Sequence, residues 1–120
     1  MGWTERKEIL KSYKDIVNYL NKENCFHDNR IGYLTYSKNE IYLTVEEGIP
    51  DAKIKDNAGF VWDFRFKNIT FFEMSVDVVL GFWIIEVEAG KKPNEIVFNL
   101  DSGSIAIASE QIEFGIPKQE

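Results

Sequence analysis

Cysteine is nearly missing from this 120-residue chain: Cys25 stands alone, so no disulfide can form within it. That usage fits a reducing compartment. Histidine is equally scarce, and the pair Cys25 and His27 cannot supply the three or four nitrogen and sulfur ligands of an ordinary zinc site. Long apolar runs are absent too. The most apolar stretch, Val78 to Ile85, has eight residues and contains Gly81, whereas a membrane-spanning helix needs about 20. The opening residues Met1 to Glu8 are charged and lead into no apolar signal core, so the expectation is a soluble, cytoplasmic protein. Phosphate-cradling glycine motifs (GxGxxG, GxxxxGK[ST]) and the nucleophile elbow GxSxG do not occur. The loop from Asp51 to Asn57 lacks the ligand spacing of a calcium site. No cofactor and no metal are expected.

What is present is ordinary globular composition, with 44% hydrophobic and 28% charged residues, far from a disordered or fibrous chain. A chain of this length builds one core, so residues 1–120 read as a single domain.

Ile9, Leu10, Tyr13, Ile16, Val17 and Leu20 recur at helical spacing, which predicts an amphipathic helix over about residues 4–22. Thr4 is its expected N-cap, and Asn21 to Asn24 should end it. Lys7, Lys11, Lys14 and Lys22 fall off the apolar stripe and read as its solvated back, with Lys11 paired to Asp15. From Ile31 the period changes to two. Ile31 to Tyr36 and Ile41 to Val45 form an expected hairpin about Ser37 to Glu40, followed by a long connection from Glu46 to Gly59. Phe60, Trp62, Phe64 and Phe66 then alternate with Val61, Asp63, Arg65 and Lys67. Further strands are expected at Ile69 to Met74, Val78 to Ala89, Ile96 to Leu100, Ser104 to Ala108 and Gln111 to Phe114, with turns at Lys67-Asn68, Ser75 to Asp77, Gly90 to Asn94 and Ser102-Gly103, and Pro117 to Glu120 reads as a tail. No second helical pattern provides parallel crossovers, so the fold class is α+β: one helix packed on a curved, antiparallel sheet of about seven strands, with a partial barrel as one form.

Two clusters invite a catalytic reading. Cys25, His27 and Asp28 place a thiol, an imidazole and a carboxylate within four positions, but nucleophilic dyads are assembled by the fold from distant residues, and this cluster reads as a helix-to-strand connection. Glu86 and Glu88 should point to the same side of a strand about 7 Å apart, a spacing that also serves glycosidases. Alternating acids are equally the solvent face of an antiparallel strand, with Arg65 or Lys67 as expected partners. Phe60, Trp62, Phe64, Phe66, Phe71, Phe72, Phe82 and Trp83 make the middle of the chain aromatic. They either fill the core or line a small-ligand cavity, which would make the domain ligand-binding or enzymatic.

Charge is distributed unevenly. Residues 1–70 carry 11 acidic and 11 basic side chains, while residues 71–120 carry nine acids and only Lys91, Lys92 and Lys118, so the net charge of −6 lies in the second half. Such a field attracts a basic protein and repels nucleic acid. Glu73, Asp77, Glu86, Glu88 and Asp101 are the candidate partner-binding residues.

The segments Asn68 to Glu73, Trp83 to Glu88 and Ile96 to Ile107, the last with its Asp101-Ser102-Gly103 turn, together with the acidic one-helix layout, resemble the immunity proteins of bacterial toxin systems, including contact-dependent growth inhibition. The resemblance implies a non-enzymatic protein that binds a cognate toxin tightly and occludes a basic active-site cleft. It transfers no individual residue.

Overall fold

The computed structural model describes residues 7–22, 26, 29–46, 61–77 and 82–117. Its elements run β1 (Lys7–Leu10), α1 (Tyr13–Lys22), β2 (Arg30–Ser37), β3 (Glu40–Glu46), β4 (Val61–Val76), β5 (Ile84–Ala89), β6 (Glu95–Leu100) and β7 (Gly103–Pro117). The expected α+β architecture is present: one helix lies on a single antiparallel sheet of seven strands in the order β2-β3-β4-β7-β6-β5, with β1 joined to β7.

The helix is shorter than the sequence suggests. Residues 7–10 are a strand, because β7 offers them a ladder in which Glu8 faces Ile116, Ile9 faces Gly115 and Leu10 faces Phe114. A ladder with tertiary neighbours outweighs the weak local preference of four residues for helix. Ser12, rather than Thr4, caps α1: its Oγ accepts the Asp15 N–H at 3.4 Å and its carbonyl accepts the Ile16 N–H at 2.9 Å. Thr4 lies outside the described residues. Lys7 and Lys11 consequently leave the helix, and the expected Lys11–Asp15 pair on one helix back is lost. The apolar stripe survives from Tyr13 on, with Ile16 and Leu20 buried.

The sheet has fewer breaks than its turn signals imply. Lys67-Asn68 is not a turn but an irregularity inside β4: Asn68 takes a positive φ of 61°, and the register with β7 shifts between Ile69 and Phe71. Ser75 to Asp77 does close the strand, since β4 ends at Val76. The two short strands expected at 104–108 and 111–114 are likewise one strand, β7. Two mergers remove strands and β1 adds one, so the sheet keeps about the number of strands expected, seven, with a different division. Pro117, expected in the tail, ends β7, and residues 118–120 lie outside the described residues, as do the 47–60 connection and residues 78–81 of the strand expected from 78 to 89. Between β2 and β3 the loop is only Lys38-Asn39, both at positive φ (54° and 62°), the backbone of a two-residue turn matched to strand twist.

Because β4 and β7 pair along most of their length, each serves two halves of the sheet. Residues 61–67 of β4 also pair with β3, and residues 114–117 of β7 with β1. Past the irregularity, β7 is the one strand partner of β4 among the described residues, and β7 in turn carries β6 and then β5. The sheet curls until its end strands touch at one bridge, Arg30 to Trp83, where Ile31 N–H donates to Phe82 O at 3.1 Å and Ile84 N–H to Asn29 O at 2.7 Å. It is not a closed barrel. Gly103 is required where the β6–β7 turn crosses β4: φ is 144°, and a Cβ there would sit 1.9 Å from the Ser75 carbonyl oxygen.

Inside the curl Phe64, Phe66, Phe98 and Phe114 are fully buried with Ile41, Leu43, Ile96, Ile105 and Ile107. The helix closes one open side. Tyr19 packs edge-on to Phe114 at 5.3 Å and accepts the Trp62 Nε1–H at 3.0 Å, while Phe26 sits 4.8 Å from the Trp62 ring. Tyr13 ties the helix start to β6 by donating to the Glu95 carbonyl at 2.7 Å. Burial, and secondarily the Glu95 charge, hold the Tyr13 phenol above its ordinary pKa. Folding therefore favours the protonated phenol, so this contribution is intact below about pH 10 and is lost as pH rises through the folded-state value. Thermal midpoints measured from pH 8 to 11.5 should fall more steeply above pH 10 for the native chain than for Tyr13→Phe, which has no proton to release.

Candidate functional site

In an antiparallel ladder, directly opposed residues share a face. Across β4, β7, β6 and β5 one such row is Glu73, Ala106, Val97, Glu88, and the next is Ser75, Ser104, Asn99, Glu86. All of these lie on the outer face, since Ile105, Ile107, Phe98 and Val87 between them are fully buried. The floor is made of small or short side chains. Acids stand at its two sides, with Glu73 about 14 Å from Glu88 at three strand spacings. Glu86 and Glu88 do share a side, with buried Val87 between them. Glu88 accepts from Asn99 Nδ2 at 2.6 Å, a surface bond that leaves the Glu86 carboxylate free to face solvent.

The other two candidate acids gather at one end of this face. Asp77 donates its N–H to Ser102 O at 2.7 Å, and Asp101 donates its own to Trp83 O at 3.0 Å, so both sit beside the β6–β7 turn. Five acids scattered over 29 positions of sequence thus occupy one face and its rim. Trp83 and Ile85 lie among them, 41% and 50% exposed. Trp83 and Ile85 alternate with buried Ile84, and a register irregularity between Ile84 and Glu86 keeps Glu86 on the same outward side as Ile85. Lys91 and Lys92 keep to the opposite end, in the β5–β6 turn, with Lys92 Nζ held 4.1 Å over the Phe71 ring.

Arg65 and Lys67 do not pair with Glu86 and Glu88. They belong to the other half of the sheet, where Lys67 meets Glu113 at 3.5 Å and Arg65 lies 5.7 Å from the Tyr42 ring centre. Glu95 is no part of the acidic face either: it is buried and accepts the Lys92 N–H at 3.0 Å, fastening the β5–β6 turn.

Of the aromatic residues, Phe64 and Phe66 stack at 5.7 Å and fill the core, while Trp83, expected with them, is a surface residue. Phe60 is outside the described residues. A cleft of about 360 Å³ lies where Lys11 and Tyr13 approach Asn94, Glu110 and Glu113, and another of about 260 Å³ between Thr35, Tyr42 and Arg65. Neither is lined by the Trp62, Phe64 or Phe66 rings of β4. The Cys25, His27 and Asp28 cluster and the Asp51 to Asn57 loop lie outside the described residues. Among the described residues no three His, Cys, Asp or Glu side chains come together as a metal site, and no helix is long and apolar enough to cross a membrane.

Sequence reasoning named these acids as candidates by their charge and missed Trp83 and Ile85. The signal was the Trp83-Ile84-Ile85 run itself, since three consecutive apolar residues on a period-two strand cannot all face inward. No family model, curated protein or solved structure matches this chain.

Proposed function

We propose that this domain is a non-enzymatic protein-binding module that captures a basic partner on the outer face of β4, β7, β6 and β5. The observation that carries the reading is the company of exposed Trp83 and Ile85 with Glu73, Asp77, Glu86, Glu88 and Asp101. Tryptophan is a favoured interface anchor, and exposed apolar groups rimmed by charge mark interaction surfaces. The acids steer a basic protein toward the anchors and repel nucleic acid. A bacterial toxin with a basic active-site cleft is a partner of the right chemistry, the carboxylates standing where substrate phosphates bind. Neutralising such a toxin by occlusion in the cytoplasm is the role that follows.

Affinity capture from the native cell followed by mass spectrometry identifies the partner. With that partner in hand, raising salt from 0.1 to 1 M shortens the Debye length from about 10 to about 3 Å. Association should slow far more than dissociation quickens. An association rate indifferent to salt would remove charge steering from the account.

A further inference from the structure

The geometry points to a second element of recognition, the outer edge of β4 from Phe71 to Val76, which we propose accepts an extended basic segment of the partner as an added antiparallel strand. This inference rests on the protein-binding reading and extends it to backbone pairing.

Past residue 67, β4 pairs with β7 alone, so one edge of residues 71–76 has no strand partner among the described residues. Asp77 N–H bonds to Ser102 O at 2.7 Å, so by the alternation of an antiparallel ladder Ser75, Glu73 and Phe71 bond to β7, while Phe72, Met74 and Val76 turn their N–H and C=O groups to the open edge. Natural edges are usually blunted by lysine, proline, bulges or shortness. Here the six residues contain no lysine or proline, and the only irregularity precedes them, between Ile69 and Phe71. Of the other end strands, β1 is blunted by its length of four residues. β2 and β5 each carry a register irregularity and are tied to each other by the Arg30–Trp83 bridge.

The side chains along this edge specify what the added strand carries. Phe72 and Met74 oppose the buried Ile107 and Ile105, so they lie on the inner face. There Met74, 41% exposed, borders a cleft of about 300 Å³ with Ile31, Tyr33, Leu34 and Phe82 on its walls, and the Tyr36 ring lies 5.7 Å from Phe72. Residues of an added strand opposite Phe72, Met74 and Val76 would point into this apolar cleft. Those opposite Glu73 and Ser75 would point onto the acidic face. The complementary segment is therefore extended, with apolar and basic residues in alternation. A second copy of this chain fits worse, because it brings two acidic faces side by side at a net charge of −6 each.

The test uses the full chain and the synthetic peptide Lys-Val-Lys-Val-Lys-Val-Lys. Expected are saturable binding, slowed amide exchange at Phe72, Met74 and Val76, and a loss of at least about tenfold in affinity when the peptide is N-methylated at its valines, which deletes edge hydrogen bonds without touching the protein. Met74→Pro should cause a similar loss while the thermal midpoint stays near that of the native chain, since the Met74 N–H is not used by β7. The reversal of Glu86, Glu88 and Asp101 to Lys should also weaken the peptide. If the charge reversal weakens binding but Met74→Pro and N-methylation do not, strand addition is wrong and the acidic-surface reading stands. If none of the three matters, or the peptide does not bind, strand addition is overturned. A dimer that Met74→Pro dissolves would overturn it in favour of a second copy.

Discussion

Phe64→Ala destabilises the domain by about 3–5 kcal/mol, the range for emptying a buried aromatic site whose walls collapse only in part. Phe64 is fully buried on β4 and touches rings from three strands: Phe66 stacked at 5.7 Å, Phe98 on β6 at 5.3 Å, and Phe114 on β7 at 4.5 Å. No rotation of one neighbour fills that space, because each is itself held by a strand. Domains of this size are stable by about 5–15 kcal/mol, so the substitution removes a large share of the total. Urea titration of the native chain and the variant measures it through the midpoint at constant slope. A loss under about 1 kcal/mol would mean that the two halves of the sheet do not meet on Phe64.

The same residues show how far the sequence could be read. Phe64 and Phe66 alternate with Asp63, Arg65 and Lys67, and the structure puts that aromatic face inside. Period two was legible wherever a strand had one buried and one wet face. It said nothing of how β4 bends, because Asn68 is a turn signal in sequence and only a positive-φ irregularity within a continued strand in the fold. The 7–10 segment failed for another reason: Ile9 and Leu10 suit a helix stripe and a strand equally, and the choice was made by β7, more than 100 positions away.

The acidic face was legible as composition and not as geometry. An excess of acids after residue 70 is a count, but which of them meet depends on β7 lying between β4 and β6, a pairing no local pattern encodes. Thus Glu95 and Glu113, equal to Glu86 in a count, were separated from it by burial and by the Lys67 pair. Trp83 was hidden by the assumption that aromatic residues in a small domain go inside.

The central claim is that this face, rather than net charge, binds the partner. Reversing Glu86, Glu88 and Asp101 to Lys takes the formal net charge from −6 to 0, and so does reversing Glu8, Asp15 and Glu40, exposed acids on β1, α1 and β3 away from the face. Global charge is thereby matched and only position differs. Association with the captured partner, followed by surface plasmon resonance at 0.1 M salt, should slow by about tenfold or more for the first triple, in line with the steering contribution of a local field. The second triple should slow it much less. Equal losses would show that net charge alone governs the encounter, and an undiminished rate for the first triple would contradict the account.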